Sequence, residues 1–353
     1  MRELRTHFHT RDGTVRAVDG VSFNVHRGET VCLVGESGSG KTVTCESITR
    51  LISTPPGEIV SGDIRFDDRD LTLLSSKRLR EVRGDRIAHV FQNPQNALDP
   101  VYTIGAQLVE AIRIHRDVSK AAARERAISL LNRVGLPKPA TRMDNYPHQF
   151  SGGMRQRVVI AIALAADPDL LIADEPTTAL DVTIEAQILN LLNELQRERG
   201  TAILFVTHDL GVVAEVADRV VVMYAGKVME RAGVYDCFER PAHPYTQALL
   251  RSLPGGSGVS KPIGGSPPDP ADSPAGCRFH PRCPHAVAEC STGEQPPLLP
   301  APSEDDVGLD QQASCVFYAP GHDRQVVRDG LDTTSSSRAT SESKRATGGE
   351  SES

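Results

Sequence analysis

One glycine-rich segment near the start of the chain, residues 35–42, has the composition and spacing that bind phosphate groups. Its sequence, GESGSGKT, fits the pattern G-x-x-x-x-G-K-[ST] and follows the apolar run Thr30–Val34. Glycines let successive backbone N–H groups converge on phosphate oxygens, and a following helix directs its positive end at the same point. We expect Lys41 to reach the β- and γ-phosphates and Thr42 to bind Mg²⁺. The predicted phosphate-binding residues are Gly35, Glu36, Ser37, Gly38, Ser39, Gly40, Lys41 and Thr42.

Two acids end another apolar run, LLIAD at Leu170–Asp174, which is followed by Glu175. In phosphoryl-transfer sites the first such acid holds Mg²⁺, and the second can polarise the attacking water. A strand that ends in Asp-Glu is often only a solvated strand end, but the phosphate-binding pattern upstream favours a catalytic role. We therefore expect Asp174 to bind the metal and Glu175 to act as the general base.

A third segment, FSGGMRQR at residues 150–157, has the pattern of a helix start. Ser151 can cap the helix, and the two glycines leave backbone N–H groups open to an anion. By itself a Ser-Gly-Gly run indicates no more than an ordinary helix start. Because it lies between a phosphate-binding loop and an acidic strand, the segment can also be interpreted as a functional motif.

In this order, GESGSGKT, SGGMRQR and LLIADE resemble the motifs of ABC-transporter ATPases. The resemblance covers residues 10–235 and implies ATP hydrolysis with Mg²⁺. In that family the signature of one subunit closes over the ATP that is held by the phosphate loop of its partner. The resemblance therefore implies that Ser151, Gly152 and Gly153 contact nucleotide bound to a second ATPase subunit.

The remaining motifs of that family also have counterparts in this sequence. Gln92 in VFQNPQ matches the glutamine loop, which senses the γ-phosphate and Mg²⁺ and contacts the membrane subunits. Residues 179–181, Ala-Leu-Asp, match the loop that crosses the dimer interface. His208 in LFVTHDL matches the switch histidine, which holds the γ-phosphate and the attacking water. The family also stacks an aromatic ring on adenine, and the candidates for that position here are Phe8 and Val15.

Apolar strands alternate with helical patterns up to about residue 235, which predicts an α/β fold. The resemblance specifies a P-loop NTPase of ABC type, with a RecA-like core and a helical subdomain over residues 95–165. A helix that begins at Val182 should pack one apolar face against the sheet. The predicted strands are 21–25, Thr30–Val34, 87–91, Leu170–Asp174 and Ala202–Val206.

The composition changes after Pro254, where a linker rich in Gly and Pro precedes a segment with several cysteines. We expect an ATPase domain over residues 1–235 and a small irregular C-terminal extension over residues 236–320. Residues 321–353, which end in a Ser/Thr/Glu-rich run, are predicted to be a disordered tail.

Composition and charge exclude several classes of protein. The 39 lysines and arginines against 46 aspartates and glutamates give a formal net charge of −7, which disfavours a sequence-independent nucleic-acid binder. No apolar stretch reaches the roughly 18–20 residues that span a bilayer, and the N-terminus lacks the apolar core of a signal peptide. Seven cysteines without an export signal predict reduced thiols and a cytoplasmic protein.

The segment RPAHPYTQALLRSLP, residues 240–254, indicates which branch of this family the sequence resembles. A His-Pro-Tyr run can be an ordinary helix start, since Pro244 suits a first turn. After the ABC motifs, however, it resembles the start of the C-terminal extension of dipeptide and oligopeptide importer ATPases. This resemblance implies a second, different ATPase subunit, two membrane permease subunits and an extracytoplasmic binding protein, with this chain at the cytoplasmic face of the membrane. The alternatives are nickel or oligosaccharide import, and a soluble ABC ATPase.

The extension contains four cysteines, separated by five, six and twenty-four residues: Cys277, Cys283, Cys290 and Cys315. Structural zinc sites typically have tight C-x₂₋₄-C pairs, whereas four thiolates on a loop-rich scaffold suit an iron–sulfur cluster. The resemblance suggests a [4Fe–4S] centre with a structural or regulatory role. The alternatives are zinc, with His280 or His285 as a further ligand, and thiols that bind no metal. The other cysteines are expected in the core, at Cys32, Cys45 and Cys237.

Overall fold

The computed structural model describes residues 1–92, 97–178, 180–253, 262–301 and 311–327. The chain divides into two compact units. The first comprises Met1–Val228 with Pro270–Asp272, and the second comprises Met229–Asp269 with the residues from Ser273 onward. Of the predicted tail, residues 328–353 lie outside the described residues.

The strands of both units are numbered here along the chain. They are β1 (Arg2–Thr10), β2 (Gly13–Val21), β3 (Thr30–Val34), β4 (Gly57–Asp63), β5 (Arg65–Phe66), β6 (Arg69–Asp70), β7 (Ile87–Val90), β8 (Leu170–Asp174), β9 (Ala202–Val206), β10 (Arg219–Tyr224), β11 (Lys227–Gly233), β12 (Leu299–Pro300) and β13 (Gln312–Ala313).

The central sheet of the first unit is parallel and has the order β10, β3, β9, β8, β7. Strands β3, β8 and β9 are buried at every position, as in parallel sheets that are covered on both faces. Their bounds coincide with three of the predicted strands, and β7 is one residue shorter than the predicted run 87–91. The α/β fold class is therefore confirmed.

An antiparallel sheet in the order β2, β1, β4 was not predicted. The predicted strand over residues 21–25 is wrong, because β2 ends at Val21 and residues 22–25 are not in a strand. The ladder between β2 and β1 stops at Leu4↔Val21, and beyond it the Glu3 N–H donates to the Ser22 hydroxyl in place of a backbone carbonyl. Phe23 is nevertheless buried, between the polar residues Ser22 and Asn24. The alternation of apolar and polar residues that predicted a strand here therefore comes from core packing and not from strand pairing.

Helices surround the parallel sheet and form most of the segment between β7 and β8. The α-helices that lie wholly within the described residues of the first unit are Lys41–Ile48, Ser76–Val82, Ile104–His115, Lys120–Arg133, Pro139–Arg142, Gly152–Ala163, Val182–Arg199 and Leu210–Val216. Four helices of this set begin at Ser or Thr caps whose hydroxyls accept backbone N–H groups, at Ser75, Thr103, Ser119 and Ser151. None of the helices in the described part of the chain is both long and apolar enough to cross a bilayer.

The second unit has little regular structure. Strand β13 pairs with both β11 and β12 in antiparallel fashion, and the α-helices are Val234–Glu239 and Pro244–Arg251. Two small apolar clusters pack around these elements, one on Ala242 and Ala313 and the other on Phe317 and Val327. Val327 lies within the predicted tail, and its carbonyl accepts a hydrogen bond of 2.8 Å from Gln247.

A buried carboxylate, Glu230, holds the start of the second of these helices. Its Oε1 accepts the Ala242 N–H at 2.9 Å and the Gln311 side-chain amide at 2.9 Å, and its Oε2 accepts the His243 N–H at 2.8 Å. Burial raises the pKa of Glu230, and these donors oppose that effect. His243 is also buried, which lowers its pKa to about 3, so a neutral ring accepts the Tyr245 N–H at Nδ1. The His-Pro-Tyr run is thus a helix start whose donors are satisfied internally.

Replacing Glu230 should loosen this helix without affecting the ATPase motifs. Glu230→Leu leaves two buried N–H groups without an acceptor, which costs about 2–4 kcal/mol. We expect amide hydrogen exchange of Pro244–Arg251 to accelerate roughly 100-fold, while the amides of β3 and β9 keep their rates. The control is Glu289→Gln, since Glu289 is exposed in the same unit. Unchanged exchange in Glu230→Leu would contradict this role.

Candidate functional site

The predicted phosphate-binding loop, residues 35–42, connects β3 to the helix Lys41–Ile48. Gly35 and Gly40 have φ values of 151° and 98°, which side chains rarely adopt. A Cβ on Gly35 would lie 2.1 Å from the Met223 carbonyl oxygen, and one on Gly40 would lie 2.2 Å from the Ala17 carbonyl oxygen. The glycines therefore allow both the turn and its close packing against neighbouring backbone.

Lys41 lies inside this loop. Its side-chain Nζ donates to the Gly35 carbonyl at 2.8 Å and to the Glu36 carbonyl at 3.0 Å, and the residue is only 7% exposed. Burial lowers the pKa of Lys41, whereas the charges of Glu175 and Asp174 raise it. The ammonium is thus placed between the loop and the acids of β8, where it can contact phosphate oxygens.

Asp174 ends β8 and is 2% exposed. Burial raises its pKa, and a hydrogen bond with the Thr42 side chain lowers it. Its Oδ1 is buried without a hydrogen-bond partner among the described residues. A buried carboxylate oxygen of this kind requires a donor or a cation. Because Thr42 and Asp174 supply hard oxygen ligands side by side, these residues fit Mg²⁺.

Three side chains donate to Glu175, the residue after β8. Gln92 Nε2 and Thr178 Oγ1 lie 2.9 Å and 3.1 Å from its Oε2, and His208 Nδ1 lies 3.0 Å from its Oε1. Burial raises the pKa of Glu175, but the hydrogen bonds from His208, Gln92 and Thr178 outweigh it and lower the pKa. The carboxylate is therefore ionised at neutral pH and can accept a proton. The structure thus brings the predicted Gln92, Glu175 and His208 together.

The signature residues lie at the start of the helix Gly152–Ala163. Ser151 caps this helix by accepting the Met154 N–H at 3.3 Å, as predicted, and a Cβ on Gly152 would meet open space. Within the part of the chain that the structure describes, the hydrogen bonds of Ser151 are with its own helix, not with the phosphate-binding loop. Ser151 and Gly152 are exposed, and Gly153 is half-buried.

A buried arginine fixes the signature helix in place. Arg157 donates to the Val134 carbonyl at 3.1 Å, to the Gly135 carbonyl and to the Gln187 side chain. Gln187 belongs to the helix Val182–Arg199, which Asp181 caps by accepting the Ile184 N–H at 3.0 Å. Residues 180 and 181 of the predicted interface loop thus precede a capped helix, and residue 179 lies outside the described residues.

The two candidates for adenine stacking, Phe8 and Val15, lie directly opposite each other on β1 and β2. Both are half-buried. The sequence could not show that these residues are neighbours, because it did not predict the antiparallel sheet that pairs them.

The four cysteines of the extension lie close to one another in the second unit. Burial, together with the nearby Cys277 and Cys290, raises the pKa of Cys315 to about 12 and that of Cys283 to about 11. The Cys277 N–H also donates to the Cys290 carbonyl at 2.9 Å. Across the described residues, however, no three or more His, Cys, Asp or Glu side chains are arranged to hold a metal ion. Buried positions are confirmed for Cys32, Cys45 and Cys237.

Comparison with known proteins agrees with this geometry. The family model described as ABC transporter matches residues 18–178, and the model described as oligopeptide/dipeptide transporter, C-terminal region, matches residues 229–290. A probable peptide ABC transporter ATP-binding protein, y4tR of Sinorhizobium fredii, is 50% identical over 85% of this chain and 90% of its own length. The oligopeptide transport ATP-binding protein AppD of Bacillus subtilis is 50% identical over 85% of this chain and 92% of its own. The chain belongs to the ABC transporter family.

A solved ABC cassette shows the same fold. The dimeric post-hydrolysis structure of MJ0796, bound to ADP and Pi, is 29% identical and superposes with a TM-score of 0.61 over 66% of this chain and 97% of that one. The predicted P-loop NTPase fold of ABC type is confirmed, and the chain is an ABC-type ATPase.

Two residues of this ABC ATPase were missed in the sequence analysis. Thr178 contacts Glu175, and its only signal was a hydroxyl three positions after the acid in a Pro-containing turn. Glu230 caps the His-Pro-Tyr helix from a strand whose pattern, KVMERAG, gave no sign that this acid is buried. The contacts of both residues form only when the backbone is folded, so the sequence alone does not show them.

The packing of the loop predicts unequal effects of two similar substitutions. Gly38 and Gly40 both have positive φ, but a Cβ on Gly38 meets nothing within 4 Å. Gly38→Ala should therefore cost about 1 kcal/mol of left-handed strain. Gly40→Ala should cost about 2–4 kcal/mol, because the methyl group also collides with backbone. Thermal unfolding followed by circular dichroism without nucleotide measures both, and equal melting temperatures would show that the close packing is unimportant.

Proposed function

We propose that this chain is the ATP-hydrolysing subunit of an importer of dipeptides or oligopeptides. The observation that carries the proposal is the ionised Glu175, held by three donors beside the phosphate-binding loop. The match to an oligopeptide/dipeptide transporter C-terminal region, and the printed names of the relatives, support peptides as the cargo. Nickel and oligosaccharides are the alternative cargoes.

In the proposed reaction, residues 35–42 hold the phosphates of ATP, with Lys41 against the β- and γ-phosphates. Thr42, Asp174 and Gln92 would hold Mg²⁺, which neutralises phosphate charge when it is bound. Glu175 accepts a proton from the attacking water as the water oxygen bonds to the γ-phosphorus and the bond to ADP breaks. His208 keeps Glu175 and the water aligned through its bond to Oε1.

The second half of each ATP site is proposed to come from another ATPase subunit. Ser151, Gly152 and Gly153 are expected to contact ATP bound to that subunit, which the exposure of Ser151 and Gly152 at the start of their helix supports. The dimeric state of MJ0796 supports a two-subunit arrangement. We infer a heterodimer with a different ATPase subunit.

The remaining partners are proposed from the importer assignment. They are two membrane permease subunits and an extracytoplasmic substrate-binding protein, with this chain peripheral at the cytoplasmic face of the membrane. Nucleic acid is not proposed as a ligand, since the formal net charge is −7. In this proposal residues 1–235 are the ATPase domain and residues 236–320 are the importer extension; contrary to the predicted tail from residue 321, Val327 is packed against Phe317.

We further propose that Cys277, Cys283, Cys290 and Cys315 hold a [4Fe–4S] cluster. The mutual proximity of the four thiols supports this, and a bound cluster would crosslink a unit with small apolar clusters. The present side-chain arrangement does not form a closed ligand set, so binding requires the thiols to reorient. Zinc is the alternative metal.

The importer proposal is tested by one substitution in cells whose only copy of this chain is the introduced variant. Glu175→Gln should reduce ATP hydrolysis about 10²- to 10⁴-fold, because the amide cannot accept the proton. Radiolabelled dipeptide uptake should fall with it, whereas Glu194→Gln, on the exposed side of the helix Val182–Arg199, should leave both unchanged. Lost ATPase activity with normal peptide uptake would favour another cargo or a soluble ATPase.

The metal proposal is tested by elemental analysis of the anaerobically purified full chain. We expect about four iron and four sulfide per chain, with visible absorption that is lost in Cys283→Ser. Zinc in place of iron would make the extension a structural zinc site. A chain with neither metal would contradict the proposal without affecting the ATPase assignment.

A further inference from the structure

We propose that Thr178 is a positioning residue for the general base Glu175. Its Oγ1 donates to Glu175 Oε2 at 3.1 Å and holds the carboxylate in the orientation that receives the proton of the attacking water. This inference rests on the proposed role of Glu175 as the base. Thr178 lies in the segment between β8 and the helix Val182–Arg199, outside the residues assigned to phosphate or metal.

The backbone brings the two side chains together. The Glu175 N–H donates to the Val206 carbonyl at the end of β9, at 2.9 Å. The positive φ of Glu175, 46°, then turns the chain out of β8. The Thr178 N–H then closes a tight turn onto the Glu175 carbonyl at 3.2 Å. The hydroxyl is therefore positioned by the same turn that carries the carboxylate.

The other two donors to Glu175 come from distant parts of the chain. Gln92 and His208 lie 83 and 33 residues away, and the His208 side chain is 62% exposed. Any movement of either segment changes its bond to Glu175. Thr178 alone among these three donors shares a turn with the base, so its bond does not depend on the position of the other two segments.

Folding does not require this hydroxyl. Thr178 is exposed, so water can satisfy its Oγ1 when no carboxylate is present. The bond from Thr178 to Glu175 is thus best explained as orienting the carboxylate. With Thr178 on Oε2 and His208 on Oε1, both oxygens of the carboxylate are held, so rotation of its plane is restricted.

The test compares two substitutions of Thr178 in the full-length chain, assayed in the complex with its partner ATPase subunit. Thr178→Val has nearly the same shape but cannot donate, and we expect kcat for ATP hydrolysis to fall about ten-fold, as for the loss of one charge-assisted hydrogen bond. The KM for ATP should stay within about two-fold, because Thr178 does not touch the phosphate-binding loop. Thr178→Ser keeps the hydroxyl and should restore most of the rate. Thr183→Val, an exposed threonine in the next helix, serves as the matched control.

A purely structural role would make Ser and Val equally harmful and would lower the melting temperature of both variants. In the Glu175→Gln background, Thr178→Val should cause no further loss, because the base it positions is absent. If Glu175→Gln abolishes hydrolysis but Thr178→Val matches the wild type, this inference fails and the proposed function stands. If Glu175→Gln hydrolyses ATP normally, the proposed role of the base fails first.

Discussion

The arrangement of the site depends on one buried cation, the ammonium of Lys41. Removing an ammonium from water is costly unless oxygens replace its hydration shell. Here the carbonyls of Gly35 and Glu36 do so, and the acids at the end of β8 add favourable charge. This requirement accounts for the tight glycine turn, since only a loop folded back on itself can direct its own carbonyls at Nζ.

The order of the parallel sheet explains why residues far apart in sequence meet at this cation. Strands β3, β9 and β8 are neighbours, and their carboxyl ends lie at one edge. The phosphate-binding loop leaves the end of β3, Asp174 ends β8, and His208 follows β9. Ligands of open α/β sheets bind at such edges, because loops from adjacent strands converge there.

The sequence predicts those parts of the site that are encoded in short, contiguous motifs. The strands β3, β8 and β9 were predicted with their exact bounds because they are short, apolar and buried on both faces. The predicted roles of Lys41 and Asp174 came from motif patterns, and the structure adds their contacts with the Gly35 carbonyl and the Thr42 side chain. The antiparallel sheet was missed because its strands carry exposed polar residues and pair across long separations, as in Phe8↔Gly57. Glu230 and Thr178 were missed because a buried acid and a hydroxyl in a turn have no pattern until the chain is folded.

The central claim is that Thr42 and Asp174 complete, with Lys41, a single site for ATP and Mg²⁺. It is tested most directly by calorimetric titration of ATP, with and without Mg²⁺, into chains made inactive by Glu175→Gln. We predict that Mg²⁺ tightens ATP binding by about ten-fold or more, and that adding Asp174→Asn removes this gain while metal-free ATP still binds. An equal gain from Mg²⁺ with and without Asp174→Asn would contradict the account, because the unpartnered Asp174 oxygen would then have no part in holding the metal.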